Sequence, residues 1–291
     1  DGMVDILVGT QSNGQGHETV FAQFLSDQTG IPADHIRVVQ GDSDLIARGG
    51  GTGGSRSGTV QANATLQTVA VMQKAFRAFL SDKLDVDADQ IVFDDERFRA
   101  PGSNLSPTFL EVVDMARAAG REDLMQHSAY AVLDSRSFPN GAHICEVEID
   151  PDTGAVEVAR YSVVDDFGNL LNPMLVEGQV HGGVAQGIGQ AISEHVVYDD
   201  QGQLLSASFM DYAVPRAKDV PFYQFETEPL PTTTNVMGMK GCGEAGTVGA
   251  LAAVSNAVHD ALSCRGVRQL DMPFTPLRVW EALNQADVAA E

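Results

Sequence analysis

Glu244 stands in Gly-Cys-Gly-Glu-Ala-Gly (Gly241–Gly246), a carboxylate flanked by residues small enough to let a substrate approach. A carboxylate so placed can serve as a general base, although an acidic residue at a helix start also simply complements the dipole. Its segment is the last of three glycine-rich stretches that precede helical patterns: SNGQGHET (Ser12–Thr19), GGGTGGSRSG (Gly49–Gly58) and MKGCGEAGTVG (Met239–Gly249). Glycine lets backbone amides approach a ligand, and a helix N-terminus adds unsatisfied N–H groups and a positive dipole. Several such ends brought together suit a large anionic cofactor bearing phosphates. Gln15, Ser55, Arg56, Ser57 and Gln179 are equipped to read its polar edges. Taken singly, each stretch is equally a strand-to-helix turn.

Other chemistries fit less well. No Gly-x4-Gly-Lys-Ser/Thr phosphate loop is present, and the dinucleotide fingerprint lacks the expected alternating strand–helix unit with its acidic residue. His17 and His181 find no third metal ligand at a convincing spacing, so they read as packing or hydrogen-bonding groups. Cys242 lacks a nearby base that would make it a nucleophile. The three cysteines (Cys145, Cys242, Cys264) form neither a disulfide framework nor a Cys-x-x-Cys site, so the chain is expected to carry no iron–sulfur cluster of its own.

Composition sets the class. With 18 Lys plus Arg against 40 Asp plus Glu, the net charge of −22 repels phosphate backbones, and nucleic-acid binding is not expected. The 291 residues, 43% hydrophobic, are enough for two compact domains. No apolar run approaches the roughly 20 residues that span a bilayer, and no signal peptide is visible, so the expected location is the cytoplasm. The chain opens at Asp1 without a Met and reads as a fragment or a processed subunit.

The elements that must position these residues follow from periodicity. Expected are a strand at Asp5–Thr10, a helix at His17–Thr29, a strand at Ile36–Gln40 and a long helix over Val60–Leu80. The turn-rich Arg99–Pro107 stretch places a domain boundary, giving lobes 1–105 and 106–291. A helix around Thr108–Ala119 and three strands (AYAVLD, HICEVEID, AVEVARYSVV) follow, the last two joined by the Pro151–Gly154 turn. Helices at Leu175–Ser193, Thr247–Cys264 and Pro276–Gln285, a hairpin near Asp199–Gly202 and one strand within Pro215–Pro231 complete an α+β chain with mixed β-sheets packed by helices. Gly14-Gln15-Gly16-His17 is echoed by Gly178-Gln179-Val180-His181, and both are expected to open a helix.

The ordered set GQGHET, TGGSRSG, NPMLVEGQVHGGVAQGIG and KGCGEAGTVGALAAVSNAV resembles the molybdenum hydroxylases, the family of xanthine dehydrogenase, aldehyde oxidase and aerobic carbon monoxide dehydrogenase large subunits. The resemblance runs through nearly the whole chain and identifies it with the C-terminal molybdopterin-binding half. It implies a two-lobed cofactor-binding domain holding molybdenum–molybdopterin cytosine dinucleotide, the metal being held by the pterin dithiolene and not by side chains. It implies cofactor contacts from Gln15, Gly16, His17 and Thr19 in the first loop, from Thr52, Gly53, Gly54, Ser55, Arg56 and Ser57 in the second, and from Gln179, Lys240, Gly241, Cys242 and Gly243. Glu244 matches the glutamate that takes a proton from a metal-bound hydroxyl, which then attacks an electron-poor carbon while hydride passes to a sulfido group. A partly buried carboxylate would suit that task. The implied substrate class is an aldehyde, an N-heterocycle or carbon monoxide. The implied partners are the N-terminal half of the large subunit, an iron–sulfur subunit and an FAD subunit, without which the chain is expected to be inactive. The alternatives are a non-catalytic molybdopterin-binding module or an acidic scaffold.

Overall fold

The computed structural model describes residues 2–133 and 135–290, the side chains of 287–290 excepted. The chain divides into two compact units, residues 1–137 with 232–239, and residues 138–231 with 240–291.

The first unit opens with β1 (Val4–Val8), α1 (His17–Thr29) and β2 (Ile36–Gln40). β1 and β2 pair in parallel, from Val4 opposite Ile36 to Val8 opposite Gln40. A parallel pair needs a crossover, and α1 supplies it, so this is a βαβ unit after all. The glycine-rich Ser12–Gly16 turn thus occupies the strand-to-helix position that suits anion binding. Gly30 ends α1 at φ 71°, and its N–H donates to the Ser26 carbonyl at 2.8 Å. A side chain there would also strike Glu96, 2.5 Å from its Cβ.

α2 (Ser57–Leu84) starts three residues before the predicted helix. Its first two turns bury polar Ser57, Thr59, Gln61, Asn63 and Thr65, while Val69, Phe76, Phe79 and Leu80 supply its apolar face. An unpredicted hairpin follows, β3 (Val92–Asp94) and β4 (Arg97–Arg99), turning through Asp95 and Glu96 at φ 48° and 60°. α3 (Phe109–Ala118) is closed by a capping box between Thr108 and Glu111. Phe109, Val112 and Ala116 of α3 are buried with Phe76 and Phe98. The predicted boundary at 105/106 therefore cuts through a core, and the division falls after Ser137 instead. The AYAVLD strand does not form over 129–133, where Tyr130 and Val132 are 70% and 85% exposed; Asp134 lies outside the described residues.

The second unit is built on β5 (Asn140–Ile149), β6 (Val156–Asp166) and β7 (Gln224–Thr227). β5 and β6 are antiparallel across the Pro151–Gly154 turn, where Asp150 accepts the Asp152 N–H and the Thr153 hydroxyl. β7 joins β6 in parallel, making a mixed sheet. α4 (Pro173–Ile192) and α5 (Ala245–Ser263) pack on this sheet around Val180, Val184, Ile188, Val254 and Val258, and α6 (Pro276–Ala290) adds Val279 and Leu283. Each such aliphatic side chain contributes roughly 1.5–3 kcal/mol by leaving water. α4 begins at Pro173, behind an Asn172 cap that accepts the Leu175 N–H at 3.0 Å. Gly178–His181 therefore lies inside α4 and does not open it, so the echo of Gly14–His17 is not a structural equivalence.

Candidate functional site

In the first unit the two glycine-rich loops are tied to each other. Gly50 N–H donates to the Gly9 carbonyl at 2.9 Å, an approach that side chains on Gly9 or Gly49 would block. The Thr52 hydroxyl donates to the Gln11 carbonyl and accepts from Gln11 N–H and from Ser57 Oγ, both at 3.1 Å. Thr52 is thus fully committed to joining the loops. Gln15 folds back on its own loop, accepting the Asn13 N–H and donating to the Gln11 carbonyl at 3.2 Å. Gly14 and Gly16 (φ 95° and 85°), Gly54 (φ 65°) and Ser55 (φ 55°) take left-handed conformations, and side chains at Gly14, Gly53 or Gly54 would meet only open space. Arg56 and Thr19 are exposed.

His17 is 4% exposed and stacks on Phe21 with ring centroids 4.7 Å apart. Burial pushes its pKa below the ordinary imidazole range, against the opposing influence of Gln40 and Glu18. His17 Nδ1 and Thr10 Oγ1 are buried without a hydrogen-bond partner. They sit at the start of α1 and just beyond the end of β1. Buried polar atoms are nearly always satisfied, so two orphans at one end of a βαβ unit suit a polar ligand.

In the second unit Lys240 does not face outward. Its ammonium donates to Asp166 Oδ2, and the two side chains are only 8% and 14% exposed. Asp166 Oδ1 accepts the Gly168 and Leu230 N–H groups at 2.9 Å each, and Lys240 N–H donates to the Phe167 carbonyl at 2.8 Å. The Gly241–Glu244 segment is thereby moored to the end of β6. Cys242 packs against the core, and burial pushes its thiol up to about 11, which disfavours a nucleophilic thiolate.

Glu244 is the N-cap of α5 and is exposed, not partly buried as expected. Gly183, Gly187 and Gly246 bring α4 and α5 into contact: a Cβ on Gly246 would lie 2.6 Å from the Val180 carbonyl oxygen. Across this contact the Thr247 hydroxyl lies 3.0 Å from the Gly183 carbonyl and 3.1 Å from Gln186 Oε1. Gln179, Gly182 and Gln186 share one face of α4 by their i, i+3, i+7 spacing, and that face reaches α5 at Thr247. The contact between Gln186 and Thr247 lies on the face of α4 that carries Gln179, and the helical spacing from Gln179 is the sequence signal for it.

Helix caps separate these loops from the rest. α1, α2 and α5, which the three glycine-rich stretches lead into, have no side-chain cap hydrogen bond. α3 and α4, which those stretches do not lead into, are capped by Thr108 and Asn172. Among the described residues no three His, Cys, Asp or Glu side chains are grouped to hold a metal ion.

Residues 1–221 match the molybdopterin cofactor-binding domain family. The chain is 34% identical over 290 residues to the carbon monoxide dehydrogenase large chain of Afipia carboxidovorans, covering 98% of this chain and 36% of that protein. It is 35% identical to the nicotine 6-hydroxylase large subunit of Paenarthrobacter nicotinovorans, covering 97% and 35%. Reconstituted CO dehydrogenase from Oligotropha carboxidovorans superposes with a TM-score of 0.87 at 33% identity, covering 99% of this chain and 36% of that one. The chain thus spans about a third, not half, of the length of the relatives it matches. It belongs to the molybdopterin cofactor-binding domain family of the molybdenum hydroxylases.

Proposed function

We propose that this chain is the cofactor-holding part of a molybdenum-dependent oxidoreductase that acts on an aldehyde, an N-heterocycle or carbon monoxide, with Glu244 as its general base. The observation that carries the reading is the set of uncapped helix starts at the three glycine-rich loops, beside helices that are capped elsewhere. Helix starts without a side-chain cap suit the phosphates and polar edges of a molybdopterin cytosine dinucleotide.

The residues present fit such a group. Gln15, Gly16, His17 and Thr19, with Gly53–Ser57, would hold it in the first unit; open space above Gly14, Gly53 and Gly54 and the orphaned His17 Nδ1 support this. Thr52 would act by joining the two loops. In the second unit Gln179, Gly241, Cys242 and Gly243 would contact it, with Lys240 acting through the Asp166 anchor. When bound, the cofactor would supply a redox centre that takes up two electrons and activates water-derived oxygen.

Glu244 would take the proton released in that step. Glu244 stands exposed at the start of α5, where a carboxylate is open to a reacting group. Exclusion of water would then come from the parts of the protein beyond this chain, for which we propose the rest of the large subunit, with iron–sulfur and FAD subunits receiving electrons.

The test is molybdenum and released cytidine monophosphate per chain, measured on protein isolated from its native host with whatever co-purifies. Near-stoichiometric amounts of both are expected. Absence of both from a complex that contains the rest of the large subunit would overturn the reading.

A further inference from the structure

Beneath the first turns of α5 lies a buried string of polar side chains outside the proposed cofactor loops. Tyr161 and Asp165, 0% and 2% exposed, stand four residues apart on β6 and so share a face. His143 on β5 is opposite Val163, diagonal to both. Its Nδ1 is 2.7 Å from the Tyr161 hydroxyl and its Nε2 is 3.3 Å from Asp165 Oδ1. With Asp165 as a carboxylate, Nε2–H donates to it and Nδ1 accepts from the Tyr161 hydroxyl, which fixes the ring in one orientation.

The α5 backbone rests on that ring. A Cβ added at Gly249 would lie 2.5 Å from both Cε1 and Nε2 of His143, so only glycine lets the helix settle there. Gly249 is five residues past Glu244 on the same element. The Asp165 charge also reaches Cys242, adding to the burial that raises its thiol.

We propose that His143, locked between Tyr161 and Asp165, is a positioning residue that sets where the start of α5, and with it Glu244, stands above the sheet. This rests on the reading of Glu244 as the base. Ordinary core packing would explain a buried ring, but it does not call for two hydrogen bonds that orient the ring under a glycine.

The test uses the assembled, cofactor-loaded enzyme with His143→Phe, which keeps a ring and loses both hydrogen bonds, and His143→Gln, which keeps a polar group. The readouts are kcat, KM, molybdenum per chain and hydrogen–deuterium exchange of amides 241–249. His143→Phe is expected to lower kcat about tenfold or more with KM and molybdenum little changed, and to speed exchange across 241–249. His143→Gln is expected to recover part of both effects. Gly249→Ala should mimic His143→Phe, and the Gly249→Ala/His143→Ala pair should lose less than the two single variants combined. Unchanged exchange in His143→Phe, or strictly additive losses in the pair, would overturn the proposal. Faster exchange with unchanged kcat would show that His143 steadies α5 without setting the place of Glu244, and would also overturn the proposal, while the base role is decided separately by Glu244→Gln.

Discussion

Lys240 donates its ammonium to the Asp166 carboxylate, and this pair moors the Glu244 segment to the end of β6 with both side chains largely out of water. Burial, the largest influence on Asp166, pushes its carboxyl pKa up. Lys240 and the Leu230 and Gly168 amides together outweigh it and hold the group below its ordinary range. A depressed carboxylate contributes stability that is present above its unfolded pKa, about 3.9, and is lost as pH falls through the folded value. Asp166→Asn should therefore lower thermal stability at pH 7, and the gap from the parent should narrow as pH falls below about 4. Lys240→Met leaves a buried charge unpaired and should cost about 3–5 kcal/mol at pH 7 in denaturant unfolding.

Helix α5 meets α4 through glycine. Gly246→Ala would place a methyl 2.6 Å from the Val180 carbonyl oxygen and 2.9 Å from Val184 N, both backbone atoms that cannot swing aside. The expected loss is about 1–3 kcal/mol. Gly182→Ala, on α4 with nothing within 4 Å, should be neutral or stabilising by up to about 1 kcal/mol. Equal effects at the two positions in denaturant unfolding would contradict the packing account.

Thr52 holds the two loops of the first unit together by one donated and one accepted hydrogen bond with Gln11, and accepts a third from Ser57 in its own loop. Thr52→Val keeps the shape and removes all three, at an expected cost of about 1–3 kcal/mol. Amides 9–16 and 49–57 should exchange faster, and molybdenum per chain in the assembled enzyme should fall. Unchanged exchange in these loops would show that Thr52 does not join them.

Local signals located much of this molecule. The bounds of α1 and β2 follow from the spacing of Phe21, Phe24 and Leu25, which α1 buries, and from the IRVVQ run, of which Ile36 is buried. The β3–β4 hairpin was hidden because Asp95 and Glu96 take the left-handed turn that usually advertises itself as Asn-Gly. The Ala129–Leu133 run alternates like a strand yet finds no partner, and pairing is a property of the whole fold. At the candidate site, residue types marked the loops but not what each side chain touches. Lys240 reads as a cation for a ligand, and only the fold reveals the Asp166 carboxylate 74 residues away that takes its charge. Glu244 is exposed in a chain that covers about a third of its relatives' length.

The most direct test of the account is Glu244→Gln in the assembled enzyme, with turnover, molybdenum and released nucleotide measured on the same preparation. Loss of turnover by about a thousandfold or more, with both cofactor measures near the parent's, is the expected result. Turnover near the parent's level with full cofactor would contradict it and remove Glu244 from the base role.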